Sequence, residues 1–180
     1  MQAIVPTGRE RVFDEGEIIV SKTDLKGRIT YANRIFCRIG EYTEDELIGQ
    51  PHSILRHPDM PRCIFQLLWQ RIGAGAEIFA FVKNLAKSGD HYWVLAHVTP
   101  SFDAAGRIDG YHSNRRLPDR SAIAAIEPLY AQLLEIERRA PDRKQGMAAA
   151  AAALADLLQA RGLDYDRFVF SLIDQKSEAA

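Results

Sequence analysis

Two stretches of this chain read as β structure, and the segment between them repeats apolar residues at helical spacing. Residues 17–23 are rich in β-branched side chains and predict a strand. Asp24-Leu25-Lys26-Gly27 supplies a turn, and residues 28–32 return as the second arm of a hairpin. Residues 77–86, 91–100 and 107–116 predict three further strands, joined by turns at Lys87-Ser88-Gly89-Asp90 and at residues 103–106. In the long middle strand His91, Trp93, Leu95, His97 and Thr99 fall on one face, and Tyr92, Val94, Ala96 and Val98 on the other.

Between the two β stretches, Asn33 starts a short helix that ends at Gly40, and Thr43 and Glu46 have capping-box spacing for a second. Gly49-Gln50-Pro51 breaks that helix, leaving room for no more than a turn over residues 52–55. Phe65, Leu68, Trp69 and Ile72 then mark a longer helix that Gly73 and Gly75 end. The expectation is an α+β fold: a five-stranded antiparallel sheet with short helices on one face, which are its available cover. Beyond it, Asp119 opens an amphipathic helix carrying Ile123, Ile126, Leu129, Tyr130, Leu133 and Ile136, kinked at Pro128. Residues 141–146 read as a polar linker and residues 147–161 as an alanine-rich helix stopped by Gly162. Asp164 caps a last short helix bearing Tyr165, Phe168, Val169, Leu172 and Ile173, and residues 175–180 are expected to fray.

Composition narrows the function classes. At 180 residues, 47% hydrophobic and 26% charged, the chain has the make-up of a globular domain with an appendage. A net charge of −1, with no basic cluster in the sequence, offers no field for nucleic acid or an anionic membrane. Residues 1–15 lack the apolar core of a signal peptide, and the longest apolar run, 147–155, is too short to span a bilayer. The two cysteines, Cys37 and Cys63, form no CxxC pair and suit a reducing compartment, so a cytoplasmic location is expected.

The densest local chemistry is Leu55-Arg56-His57-Pro58-Asp59-Met60-Pro61, a cation, an imidazole and a carboxylate held among prolines. Pro58 and Pro61 push His57 and Met60 toward extended backbone. One reading makes Asp59 the cap of the next helix, with two surface charges beside it; the other aims a rigid polar loop at an enclosed site. Trp69 reads as core or as a ligand wall, Asn84 as a strand-end residue or a ligand contact, and Trp93 as sheet core or a helix-facing contact. Asp59 near His57 and Asp90 beside His91 are sequence neighbours without a nucleophile motif or metal-ligand spacing, so no enzyme is expected.

Several motifs carry a resemblance. Thr23-Asp24-Leu25-x-x-x-Ile29-Thr30-x-Ala32-Asn33, Gly40-x-Tyr42-Thr43 and Leu47-x-Gly49-Gln50-Pro51-His52 come first. Arg56-His57-Pro58-Asp59-Met60-Pro61, Val82-Lys83-Asn84, Lys87-x-Gly89-Asp90-His91-Tyr92-Trp93-Val94 and Ile126-Glu127-Pro128-Leu129-Tyr130 follow. Over about residues 18–135 the chain resembles the sensory PAS domain of the Aer energy-taxis (aerotaxis) receptors. The resemblance implies a PAS fold that binds FAD non-covalently between sheet and helices and senses redox or oxygen-linked energy state. The chain is accordingly read as a cap segment (1–16), a PAS domain (17–118), a connector or output helix (119–140) and a helical extension (141–180) that the resemblance does not cover.

Carried over by position, Asn33, Arg56, His57, Asp59, Trp69 and Asn84 match residues that support flavin binding in that family. The residue chemistry is compatible: Trp69 and Phe79 as ring walls, Asn84 as an amide that donates and accepts, Arg56 as a forked phosphate donor. Phe79 stands where those receptors usually have tryptophan. The receptors also continue into a membrane anchor and a chemotaxis signalling domain, which nothing in these residues matches. Output is therefore expected to a signalling protein in trans, or to a second copy of the chain as a homodimer, through helix 119–140. The alternatives are a haem sensor, with His57 as the ligand to weigh, another small-ligand sensor, or a cofactor-free interaction module. Arg62-Cys63-Ile64-Phe65 is not the Asn-Cys-Arg-Phe motif of light-sensing PAS relatives, so photochemistry at Cys63 is not expected.

Overall fold

Turn chemistry fixes the sheet. In the computed structural model, which describes residues 4–174, Asp24 Oδ1 accepts from the amides of Lys26 and Arg28 and closes the first hairpin. Asp103 repeats the same device on Ala105 and Arg107. Both turns end in a glycine at positive φ, Gly27 and Gly106, a backbone region that costs other residues steric strain. The strands are β1 (Ile19–Thr23), β2 (Ile29–Ala32), β3 (Ile78–Leu85), β4 (His91–Phe102) and β5 (Ile108–Arg116). They form one antiparallel sheet in the order β2-β1-β5-β4-β3.

The helices are α1 (Arg34–Gly40), α2 (Glu44–Leu47), α3 (Arg62–Gly73), α4 (Arg120–Arg139), α5 (Arg143–Ala160) and α6 (Tyr165–Asp174), with a 3-10 turn at His52–Leu55. The Thr43–Glu46 capping box forms as expected. The start of α3 differs from expectation. Asp59 does not cap it; the amide of Cys63 is satisfied by Glu137 Oε1 from α4, at 2.8 Å. The polar linker is also shorter than its composition suggests. Asp142 caps Lys144 and Gln145, so α5 begins at Arg143.

Both faces of the sheet are covered. α1–α3 lie on one, and the other is covered near β3 by α4 and α6: Trp93 stacks on Tyr130, and Phe79 meets Phe170 at 5.1 Å. α5 packs on α4 and α3, with Ala150, Leu154 and Leu158 buried in the same core as Phe36, Phe81 and Tyr92. The apolar stripe of helix 119–140 is thus occupied by its own chain, with Ile123, Ile126 and Leu133 buried. That stripe therefore serves the chain's own core and is not open to a partner. The exposed edge of β3 is sealed as well. Tyr130 donates to Phe81 O, and Lys83 N donates to Met60 Sδ. The expected fraying of residues 175–180 lies outside the described residues.

Candidate functional site

Two periodicities converge on one cavity. Alternate residues of the strands point toward α3: Ser21 and Thr23, Val82 and Asn84, Ala96 and Val98, Tyr111, Ser113 and Arg115. From α3, Phe65, Leu68, Trp69 and Ile72 descend at i, i+3, i+4, i+7. They enclose about 320 Å³, at the lower end of the range of ligand pockets. One rim is made by the Trp69 indole, which meets Tyr111 edge-on at 5.5 Å and lies against the β1–β2 turn. A Cβ on Gly27 would stand 2.8 Å from that indole, so the turn approaches α3 this closely because position 27 has no side chain.

The cavity has a polar end. Arg115 is 2% exposed and donates from Nη2 to Ser21 Oγ and to His52 Nε2, while its guanidinium rests over the Phe36 ring. Burial lowers the guanidinium to about 10, which leaves it charged at neutral pH. Burial, with Arg115 beside it, lowers His52 to about 3, so the imidazole is a neutral acceptor. Four buried polar atoms on cavity-lining residues have no hydrogen-bond partner: Arg56 Nη2, Asn84 Nδ2, Ser113 Oγ and Arg115 Nη1. Such atoms cost a folded protein about 1–3 kcal/mol each when they stay unpaired. Three belong to the inward face of the sheet and one to the loop beside it, which makes the cavity wall chemically incomplete without a polar occupant.

Of the seven residues singled out in the sequence, Arg56, Trp69 and Asn84 line this cavity. Arg56 and Asn84 are also bridged through their backbones, which locks the polar loop to β3. The other four do not line it. Asn33 is the N-cap of α1; Oδ1 accepts from Phe36 and Val20 amides, and Nδ2 donates to Ile18 O. His57 is buried behind the loop, its Nδ1 accepting from the Asp59 amide and its ring edge-on to His91. Asp59 pairs with Lys83 at 3.0 Å, on the α4 side of β3. Phe79 is on the opposite face, stacked on His97 at 4.2 Å, because residue 79 has the other parity from Val82 and Asn84. It therefore cannot wall a ring in the cavity.

Sequence reasoning missed Ser21, His52, Ser113 and Arg115. The available signal was parity: Ser113 and Arg115 share a face in the last strand, and one cation on an inward strand face needs a partner. Neither cysteine lines the cavity. Burial pushes the Cys63 thiol up to about 12, with Glu137 acting the same way.

The cavity between a helix and one face of a 2-1-5-4-3 sheet is the arrangement of a sensor-type α+β domain. The PAS fold family model matches residues 16–112, more than half of the chain, and the chain belongs to the PAS family. The aerotaxis receptor of Escherichia coli (strain K12) is 45% identical over 115 residues, which are 64% of this chain and 22% of the receptor. The nitrogen fixation regulatory protein of Klebsiella pneumoniae is 30% identical over 105 residues, 58% of this chain and 21% of that protein. The chain thus spans about a fifth of the length of each of these relatives. Among solved structures, the dark state of the blue-light photoreceptor Aureochrome1 LOV superposes with a TM-score of 0.53 at 23% identity, over 66% of this chain and 86% of that one. A light-oxygen-voltage domain studied with a flavin analogue gives 0.54 at 17% identity, over 61% and 82%. These likenesses are of fold. No helix among the described residues is long and apolar enough to cross a membrane.

Proposed function

We propose that this chain is a PAS sensor domain that holds a flavin, FAD in particular, in the cavity under α3 and reports redox or oxygen-linked energy state to a signalling partner. The observation that carries the reading is the set of unpartnered buried atoms on Arg56, Asn84, Ser113 and Arg115 around a mostly apolar space. A flavin ring has apolar faces and one edge of alternating donors and acceptors, which suits Leu68, Ile72, Val82, Ala96 and Val98 as walls and those four residues as partners. The 45% identity to an aerotaxis receptor supports a sensory role of this kind.

A bound flavin would supply a redox couple whose two states differ in ring protonation and charge. The protein's part is to hold charge and amide donors against it. Arg115 keeps a buried cation there, held by Ser21 and a neutral His52. Asn84 presents an amide that can donate or accept, so it can answer a change in its partner by turning over. Its neighbour Lys83 points to the other face and pairs with Asp59 at 3.0 Å and with Glu127 of α4 at 3.5 Å. A shift of β3 at Asn84 thus reaches the polar loop and α4 through one ammonium. With the apolar stripe of α4 occupied, a partner or second copy would read the exposed side of that helix. A haem reading is less well supported, since His57 is outside the cavity and His52 Nε2 is engaged by Arg115.

The test is the absorption spectrum of the purified chain, before and after dithionite, with Asn84→Ala alongside. A flavin spectrum that bleaches on reduction and is absent from the folded Asn84→Ala variant is expected. A Soret band, or a chain that stays colourless after refolding with FAD, would sink the proposal.

A further inference from the structure

A second concavity, of about 810 Å³, lies against the same loop, and Pro51, Ser53 and Arg56 line both. Its walls carry four arginines from four elements: Arg56 from the loop, Arg62 at the start of α3, Arg138 at the end of α4 and Arg143 at the start of α5. Among the described residues the only acid that lines it is Glu137, already accepting a hydrogen bond from the Cys63 amide. Several other arginines are paired, as in Arg11–Glu41, Arg71–Asp166 and Arg120–Glu10. Among the described residues none of these four forms an ion pair. Arg56 instead lies over the Phe65 ring at 4.3 Å.

Two of the four stand where helix electrostatics disfavour them. Arg62 and Arg143 are the first residues of α3 and α5, whose first turns hold no acid; one carboxylate already serves each start, Glu137 on the Cys63 amide and the Asp142 cap of α5. A cation at the positive end of a helix dipole is destabilising, and an anion placed there is stabilised. Crowding is felt at Arg56, whose guanidinium is pushed below its usual range by burial and then by Arg62 and Arg143. Beside the arginines lie Ile54, Leu85 and Leu134, an apolar surface suited to a planar base.

Four cations against one engaged carboxylate call for more than a single negative charge, and guanidinium forks match phosphate oxygens. We propose that this groove is a diphosphate-binding site, built jointly by the 51–60 loop, α3 and the α4–α5 corner. It takes the diphosphate and base of a dinucleotide whose ring occupies the cavity, so it rests on the flavin reading above. Arg138 and Arg143 lie beyond the residues matched by the family model, so the C-terminal helices select a dinucleotide over a mononucleotide.

The full chain, depleted of ligand, would be titrated with FAD, FMN, riboflavin and inorganic pyrophosphate, for the unaltered protein and for Arg138→Gln/Arg143→Gln. Both positions are exposed, and circular dichroism would check that the variant folds. FAD is expected to bind at least about tenfold more tightly than riboflavin, with an advantage that shrinks as salt is raised. The double variant should lose most of that advantage and keep its riboflavin affinity. Equal affinity for FAD and riboflavin in the unaltered chain, or equal weakening of both in the variant, would overturn the site. If no flavin binds, the flavin reading fails by itself and pyrophosphate decides: saturable binding lost in the variant retains a diphosphate site for a free ligand, and no binding removes it.

Discussion

Arg115 and His52 are joined by charge and burial, and pH exposes the arrangement. In the unfolded chain His52 titrates near 6.5, and in the fold near 3. Below about pH 6.5 the unfolded chain therefore takes up a proton that the folded chain refuses, and stability falls as pH drops toward 3. Above that window the imidazole is neutral in both states and contributes no pH dependence. His57, lowered to about 4 mainly by burial and then by Lys83, acts in the same direction. Urea unfolding should thus show a lower midpoint at about pH 5 than at about pH 7.5, and His52→Gln should reduce the difference to the part that His57 supplies. An unchanged pH profile in that variant would mean the imidazole is free to protonate in the fold. At this scale, Trp69, Asn84 and Arg56 were legible in the sequence because residue type and local text marked them. His52 was not, since nothing local says that Arg115, distant in the chain, will meet its ring.

α3 works as an element with two faces. Phe65, Leu68, Trp69 and Ile72 look into the cavity, while its other side is covered by α5. The closeness of α4 to α5 depends on Gly146, where an added Cβ would meet Glu137 O at 2.6 Å and Glu137 Cα at 3.1 Å. Both contacts are backbone, so the helices would have to part. Gly146→Ala should therefore destabilise the fold by about 1–2 kcal/mol, even after a helix-propensity gain of about 1 kcal/mol. Chemical denaturation would measure it, and a stabilised variant would refute the tight crossing. The element boundaries followed caps and glycines closely, with the start of α5 the main departure. Asp142 is a conventional cap, but the polar run after it hid the helix.

Across the whole molecule the C-terminal helices are part of one core. Ala150, Leu154, Leu158, Phe168 and Val169 are buried with the residues of the sheet and α3. A chain ending at residue 140 would leave in water the part of α4 that meets α5 and the outer side of α3. It should unfold at lower urea, lose cooperativity and bind a hydrophobic dye. A truncated chain with unchanged midpoint and no dye binding would show that the helices are an appendage. The amphipathic pattern of α4 predicted a covered face, yet it could not say which surface covers it.

Local rules were enough for the sheet, its turns, the order of helices and the family resemblance, because alternation, caps and Asp-x-x-Gly turns act over a few residues. They also marked Arg56, Trp69 and Asn84. Tertiary structure decided the rest. It set Phe79 outside the cavity by strand parity, made Asn33 a cap, turned Asp59 toward Lys83, and gathered Ser21, His52, Ser113 and Arg115 at one buried end. Those placements depend on which strands pair and which helix lies above them, and long-range packing fixes that where no short stretch of sequence can encode it.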